Sequence, residues 1–280
     1  MNTFKNLTGD SKEVLKTLLP ASVSLIITSP PYADARKNTY GGTPPDDYVS
    51  WFLPISEQLK RVLAPTGTFI LNIKEKVVNT ERHTYVLELI LALRKQGWLW
   101  TEEWIWYKKN STPGHWSNRF RDAFERCLQF NLQKKFKMNQ KAVMTPIGDW
   151  AKKRNKNLTE KDKTRESSSS GSSFGKVRSN WLGKELVYPS NVLCLPTECG
   201  NKKHSAVFPK ALPSFFIKLF SDPDDIVLDP FEGSGTSGVA AIELNRNYIG
   251  IDMDSNNTII AHDRIKNVQP FTSTFEQEQK

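Results

Sequence analysis

Ser29-Pro30-Pro31-Tyr32 is the segment whose residue types most directly suggest chemistry, and it closes an apolar run from Val23 to Ile27 through Thr28. Two consecutive prolines fix φ and remove N–H donors, so the turn presents rigid carbonyl oxygens. The result is an array of acceptors. An exocyclic amine on a nucleobase carries two N–H groups, which the Ser29 hydroxyl and the Pro30 carbonyl can both take. Tyr32 can then stack on the face of a base drawn out of a duplex. A Pro-Pro pair after a strand also serves as a plain loop starter, so a partner segment is needed to decide its role.

Ile226-Val227-Leu228-Asp229 runs into Pro230-Phe231-Glu232-Gly233-Ser234-Gly235-Thr236, and Val239, Ala240 and Ala241 follow with helical spacing. A strand, a glycine loop and a helix form the opening of a Rossmann-like unit, in which glycines admit a ligand to the backbone and the helix supplies N-terminal amides. Asp252 ends the next strand 17 residues after Gly235, where such folds place an acid on a ribose hydroxyl. Residues 233–238 also satisfy the Gly-x-Gly-x-x-Gly spacing of dinucleotide folds, whereas a P-loop is excluded because no Gly-Lys-Ser/Thr follows. Asp229 separates the two remaining readings. A carboxylate ahead of the loop suits the cationic methionine end of S-adenosylmethionine (SAM) and repels a pyrophosphate. The two segments together read as one methyl-transfer site.

The elements that must position them alternate along the chain. Ser11 to Leu19, Tyr48 to Leu63 and His83 to Gln96 have helical apolar faces; Val23 to Ile27, Thr68 to Ile73, Trp98 to Tyr107 and Arg126 to Leu132 read as strands. Ala64-Pro65-Thr66-Gly67 reads as the turn that ends the second helix. Past the basic stretch described below come a helix at Ala211 to Phe220, a strand at Ile226 to Leu228, a helix at Thr236 to Leu244, a strand at Tyr248 to Ile251 and a helix at Asn256 to Ile265. This order argues for a layered α/β sheet.

The chain has 280 residues and a net charge of +9. The charge is localised: Lys134 to Lys184 holds 14 Lys or Arg against four acids, which leaves the remainder near neutral. Such a segment is suited to neutralising a phosphate backbone, although a like-charge block can also be a solvated loop. Ser167 to Ser173 within it is low-complexity. Lys152, Lys153, Arg154 and Lys156 are the expected phosphate contacts, with Arg165, Lys176 and Arg178 as candidate base readers. Arg36, beside the catalytic turn, either holds a displaced strand or pairs with Asp34.

The three cysteines (Cys127, Cys194, Cys199) lack paired spacing, and none follows a proline. That excludes a disulfide framework and argues against the cysteine-dependent C5 route to methylcytosine. The polar N-terminus carries no secretory signal, and no apolar run approaches the roughly 18 residues of a membrane span. A reducing cytoplasmic compartment is expected. The four histidines show no ligand spacing, so no metal is expected.

With these residues in view, the chain resembles the DNA amino-methyltransferases, specifically the cytosine-N4 enzymes of restriction-modification systems, whose catalytic motif is Ser/Asp/Asn-Pro-Pro-Tyr/Phe with Ser typical of the N4 group. The resemblance extends through Ala33 to Gly41, Tyr48 to Leu53 and His204 to Pro209, and covers roughly residues 7–133 and 188–266. The catalytic motif precedes the SAM motif, as in the beta arrangement. The resemblance implies a Rossmann-like methyltransferase fold: a mixed, mostly parallel seven-stranded sheet with helices on both faces and a basic target-recognition insert. It assigns Ser29, Pro30, Pro31 and Tyr32 to catalysis. Asp229, Phe231, Gly233, Gly235 and Thr236 match the SAM loop, Asp252 the ribose-binding acid, Phe208 and Pro209 the segment closing on the methionine moiety, and Asp10 the acid at the adenine ring. Glu232 departs from the usual pattern.

The expected division is 1–133 for the catalytic half, 134–187 for the recognition insert, 188–268 for the SAM-binding half and 269–280 for a loose tail. The implied activity is direct attack of the N4 amine of a flipped cytosine in double-stranded DNA on the SAM methyl group, without a covalent intermediate. A restriction endonuclease acting on the same site is an implied partner. Adenine N6 is the alternative target, since both are amines, and an inactive DNA-binding module is the alternative of a different class.

Overall fold

In the computed structural model the described residues are 2–35, 42–111, 114–149, 153, 184–198 and 208–269. The chain divides into one compact unit comprising Met1–Asn139 with Asn191–Lys280 and a second comprising Gln140–Ser190. Lys137, counted with the basic stretch in the sequence, belongs to the first unit, where it pairs with Asp222 at 2.8 Å and Asp225 at 2.6 Å. Within the second unit, β8 (Thr145–Pro146) and β9 (Leu186–Val187) form a short antiparallel ladder.

The first unit is built on one sheet. Its strands are β1 (Phe4–Thr8), β2 (Val23–Thr28), β3 (Leu63–Ile73), β6 (Leu99–Lys108), β7 (Phe124–Asn131), β10 (Val192–Leu195), β11 (Ile226–Asp229) and β12 (Asn247–Asp252). They run in the order β1-β12-β11-β2-β3-β7-β6-β10, and β7 alone is antiparallel to its neighbours. A small ladder of β4 (Val77–Val78) and β5 (Glu81–Arg82) stands apart.

Among the described residues the sheet has eight strands, where the resemblance implied seven and apolar patterning showed six; the two edge strands, β1 and β10, are those that patterning does not reach. β1 has no fully buried residue and β10 buries only Leu193, so neither carries the apolar run that marks a central strand. The Ala64-Pro65-Thr66-Gly67 segment is an irregularity inside β3 rather than a free turn: Leu63 pairs with Val23, and pairing resumes at Thr68 with Leu25. The proline sits where the ladder is interrupted and no donor is required.

Helices α1 (Ser11–Val14), α2 (Tyr48–Val62) and α3 (Tyr85–Lys95) cover one sheet face. The first is shorter than expected and passes into a 3₁₀ turn at Leu15–Thr17. Phe52, Ile55, Leu59 and Val62 of α2 and Val86, Leu89 and Leu93 of α3 pack with Ile26, Phe69, Leu71, Leu128 and Phe130 into the main core. Trp98 is buried there with its indole N–H donated to Ser56 Oγ at 2.8 Å, which meets the requirement that a buried indole find a partner. The alternate strand residues, including Leu25, Ile27, Ile70 and Val227, fall outside that cluster. Helices α4 (Ala211–Phe220), α5 (Thr236–Glu243) and α6 (Ser255–Lys266) supply the remaining cover.

The sheet changes direction of winding between β11 and β2. From β2 the chain crosses by α2 to β3 on one side; from β11 it crosses by α5 to β12 on the other. In open α/β sheets the crevice at the carboxyl ends of two such strands is where a ligand is taken. Here those ends are Asp229 and Thr28.

Candidate active site

The turn after β2 and the loop after β11 line one cavity of about 210 Å³. Ser29, Pro30, Pro31 and Tyr32 all line it, as do Asp10, Phe208, Asp229, Phe231, Gly233, Thr236 and Asp252. Two of the expected cofactor residues, Pro209 and Gly235, do not. Gly235 has φ +77, and a Cβ there would meet the Cβ of Ala261 at 2.8 Å. Its place is therefore set by packing of the loop on α6 rather than by ligand contact. Gly233 has φ +52 and open space where a Cβ would stand, which is the geometry of a backbone left clear for a ligand.

Asp229 is buried and anchored at both oxygens. Oδ1 accepts from Thr28 Oγ1 at 2.6 Å and from the Phe231 amide at 3.1 Å, and Oδ2 accepts from Ser237 Oγ at 2.6 Å. Burial pushes its carboxyl up to about 6; the Ser237 and Thr28 hydrogen bonds pull the other way, and the nearby Asp252 adds to the rise. Asp252 accepts from the Gly233 amide at 2.9 Å and the Asp254 amide at 2.9 Å, so the same acid that faces the cavity props the glycine loop. Asp10 is the N-cap of α1, accepting from the Lys12 amide at 2.9 Å, and Ser11 donates to the Pro230 carbonyl at 2.5 Å.

Glu232 also lines the cavity, and its carboxyl is buried: Oε2 accepts from Asn6 Nδ2 at 2.7 Å and from the Tyr248 hydroxyl at 3.3 Å. Burial lifts it to about 8, with the charges of Asp229 and Asp252 adding. It occupies the room left by Gly250, where a Cβ would lie 1.8 Å from Glu232 Oε2.

At the other wall, the Tyr48 hydroxyl donates to the Pro31 carbonyl at 3.0 Å; among the described residues none donates to that of Pro30. The chain turns at Tyr32–Ala35, with the Ala35 amide on the Tyr32 carbonyl at 2.8 Å. The Tyr32 ring packs on the main core, while its hydroxyl donates to Glu125 Oε2 at 2.6 Å. Trp51 of α2 lines the cavity and meets Phe231 with ring centroids 5.9 Å apart.

Glu125, Asn72, Lys108 and Met253 carry no mark of function in the sequence, and Trp51 and Ile55 read there only as part of a helix face, yet Trp51, Ile55 and Met253 line the cavity. The first was hidden by its own pattern. Glu125, Cys127, Gln129 and Asn131 alternate along β7 like a solvated face, yet all are buried, which marks a polar layer inside the protein. Cys127 belongs to it, and burial drives its thiol well above the ordinary range, so it is no nucleophile. Of the expected DNA contacts, Lys153 is exposed, while Arg36, Lys152, Arg154, Lys156, Arg165, Lys176 and Arg178 lie outside the described residues. No helix among the described residues is long and apolar enough to cross a membrane.

Comparison with known proteins gives a consistent picture. A family model described as DNA methylase, covering N6 and N4 methyltransferases, matches residues 23–262. Type II methyltransferase M.PvuII of Proteus hauseri is 30% identical over 268 residues, 88% of this chain and 78% of that protein. Type II methyltransferase M.HinfI of Haemophilus influenzae is 28% identical, with 99% and 72% covered. Among solved structures, PvuII DNA methyltransferase (cytosine-N4-specific) superposes with a TM-score of 0.72 at 24% identity, covering 96% of this chain and 89% of that one. A DNA modification methylase of Thermus thermophilus, solved in complex with S-adenosyl-L-methionine, gives 0.62 at 20% identity, with 97% and 96% covered.

Proposed function

The chain belongs to the DNA methylase family of N6 and N4 amino-methyltransferases, and on that premise we propose that it methylates the exocyclic N4 amine of a cytosine turned out of double-stranded DNA, with SAM as donor. The observation that carries the reading is the shared cavity. A rigid acceptor turn and an acid-bearing glycine loop, about 200 residues apart in sequence, face each other across the switch point of one sheet.

The cavity residues fit the donor. Asp10, Asp229 and Asp252 offer anionic oxygens to a ligand with a cationic methionine end and a ribose, Phe231 and Trp51 offer ring surface to a purine, and Gly233 leaves its backbone open. SAM supplies a methyl carbon on a sulfonium centre. Everything else falls to the chain. Ser29 and the Pro30 carbonyl accept hydrogen bonds from the two amine N–H groups and thereby turn the nitrogen lone pair out of conjugation with the ring and toward the methyl carbon; the one proton the nitrogen gives up on methylation leaves to solvent. The Tyr32 ring face lies beside them for stacking. Catalysis of this kind comes from proximity and aligned dipoles rather than from a covalent step.

The serine form of the catalytic motif and the likeness to M.PvuII support cytosine N4 as the target; adenine N6 presents the same two protons and is the second reading. The basic stretch supports recognition of duplex DNA from the insert, in a cytoplasmic enzyme that protects a site against a partner restriction endonuclease. The test is Ser29→Ala, assayed for methyl incorporation into DNA with product nucleosides identified by mass. Turnover is expected to fall by roughly 100-fold or more with SAM binding retained, and N4-methylcytosine is the expected product. N6-methyladenine would select the second reading. A wild-type protein that binds SAM and transfers nothing would select the inactive module.

A further inference from the structure

Behind Tyr32 the sheet carries a set of polar side chains that the methyl-transfer reading leaves unused. Asn72 of β3 stands opposite Cys127 of β7 in antiparallel register, and Glu125 lies two residues farther along the same face. Trp106 of β6 opposes Glu125 on the other side, which places Lys108 diagonally across from it. The Glu125 carboxylate is buried and takes three donors. Tyr32 Oη and Asn72 Nδ2 reach Oε2 at 2.6 Å and 2.8 Å, and Lys108 Nζ reaches Oε1 at 2.5 Å. Asn72 Nδ2 also lies 2.9 Å from Tyr32 Oη, and Ser29 Oγ lies 3.1 Å from that oxygen.

Counting protons fixes the direction of each bond. A carboxylate only accepts, so the single proton of Tyr32 goes to Glu125. The Tyr32 oxygen is then an acceptor, and the bond between Ser29 and Tyr32 exists only with Ser29 donating. Serine has one proton. Once it is turned to Tyr32, the hydroxyl meets the cavity with lone pairs alone. The Pro30 carbonyl beside it has nothing to donate either.

We propose that Glu125, held by Lys108, is a positioning residue that acts through Tyr32 to fix Ser29 as a hydrogen-bond acceptor, so that the site takes an amino group and rejects a keto group at the reacting position. The proposal rests on the amino-methylation reading above and deepens it. An amine satisfies both acceptors. A keto oxygen would meet two acceptors and no proton, and polar mismatches of this kind discriminate far more strongly than differences in size. Burial and the adjacent carboxylate raise the Tyr32 phenol well above its ordinary value, so it keeps the proton the chain of bonds requires.

Glu125→Gln tests the polarity of the chain at nearly constant shape. The Lys108 ammonium has only donors and claims the amide oxygen, which turns the amide N–H toward Tyr32. Tyr32 must then send its proton to Ser29, and Ser29 its own into the cavity. The expected result for the full chain is a fall in kcat of roughly 100-fold, with KM for SAM and for DNA within about threefold of wild type. Adding Lys108→Met releases the amide to present its oxygen to Tyr32, and the double variant is expected to regain about tenfold in kcat over Glu125→Gln. A purely structural role predicts the reverse, since the second substitution removes another partner.

Wild-type kcat in Glu125→Gln, or no recovery in the double variant, would overturn the proposal. Should Glu125→Gln fail to fold, Tyr32→Phe carries the test: kcat is expected to fall about tenfold at unchanged SAM affinity, and an unaffected kcat overturns the proposal. Wild-type enzyme on unmethylated DNA in the same assay separates the two levels. An inactive wild type sinks the amino-methylation reading and this inference with it, whereas an active wild type with insensitive variants sinks the inference alone.

Discussion

Thr28 Oγ1 lies 2.6 Å from Asp229 Oδ1, a buried hydrogen bond between residues 201 apart in sequence. It joins the carboxyl ends of the two strands that flank the switch point, and so sets the distance between the Ser-Pro-Pro-Tyr turn and the glycine loop. Asp229 thus has two roles. It ties the site together, and it places a carboxylate where a cationic ligand would sit.

The two raised carboxyls make a pH prediction. Asp229 rises from 3.8 to about 6 and Glu232 from 4.5 to about 8. An acid whose folded value is raised favours the protonated folded state, so stability is present below the unfolded value and is lost as pH climbs to the folded one. The window is 3.8 to about 6 for Asp229 and 4.5 to about 8 for Glu232; for Asp229 the loss is on the order of 3 kcal/mol. The unliganded protein is expected to melt at a lower temperature at pH 8.5 than at pH 6, and Glu232→Gln to flatten that fall. A cation beside Asp229 favours its ionised form, so SAM affinity should rise with pH through about 6. Melting curves with and without SAM across this range check both, and an unliganded melting temperature that holds steady from pH 6 to 8.5 contradicts the assignment.

Two glycines of the loop should fail in different ways. At Gly235, φ +77 and a Cβ 2.8 Å from that of Ala261 leave no room, so Gly235→Ala combines left-handed strain with overpacking and should cost about 2 to 4 kcal/mol of stability. At Gly233, φ +52 is strained but the space is open; Gly233→Ala should cost about 1 to 2 kcal/mol while weakening SAM binding more than its stability loss explains. Denaturant melts paired with calorimetric titration of SAM distinguish them. Equal losses of affinity and stability in the two variants would remove the distinction.

Binding to DNA should weaken steeply with salt if the basic stretch meets phosphates. Six phosphate contacts correspond to a loss of about 10³-fold between 50 and 200 mM salt. Replacing Lys152, Lys153, Arg154 and Lys156 with Ala together should lower the slope of log affinity against log salt by up to about 3.6. A slope that does not change would move the DNA contact elsewhere.

The parts of the site that sequence made legible are those whose chemistry resides in one short segment. Proline fixes its own φ, and glycine tolerates φ values that other residues resist. Ser-Pro-Pro-Tyr and the loop from Asp229 to Thr236 therefore announce their geometry without help from the rest of the chain. Central strands and amphipathic helices were readable for the same reason: Ala211–Phe220 and Ile226–Asp229 carry their burial in their own apolar runs. Edge strands β1 and β10 do not, because half of each faces away from the core.

What only the tertiary structure decided is register. Glu125 reads in sequence as one charge in an alternating strand, indistinguishable from a solvated position. The antiparallel placement of β7 between β3 and β6 buries it, sets Asn72 and Lys108 around its carboxylate and brings the Tyr32 hydroxyl onto it. Likewise the sequence placed Asp229 at the end of one strand and Thr28 in the turn just after another, but nothing local says that those strands are neighbours. Pairing between distant strands is chosen by the burial of whole faces, and such a choice cannot be read from either segment alone.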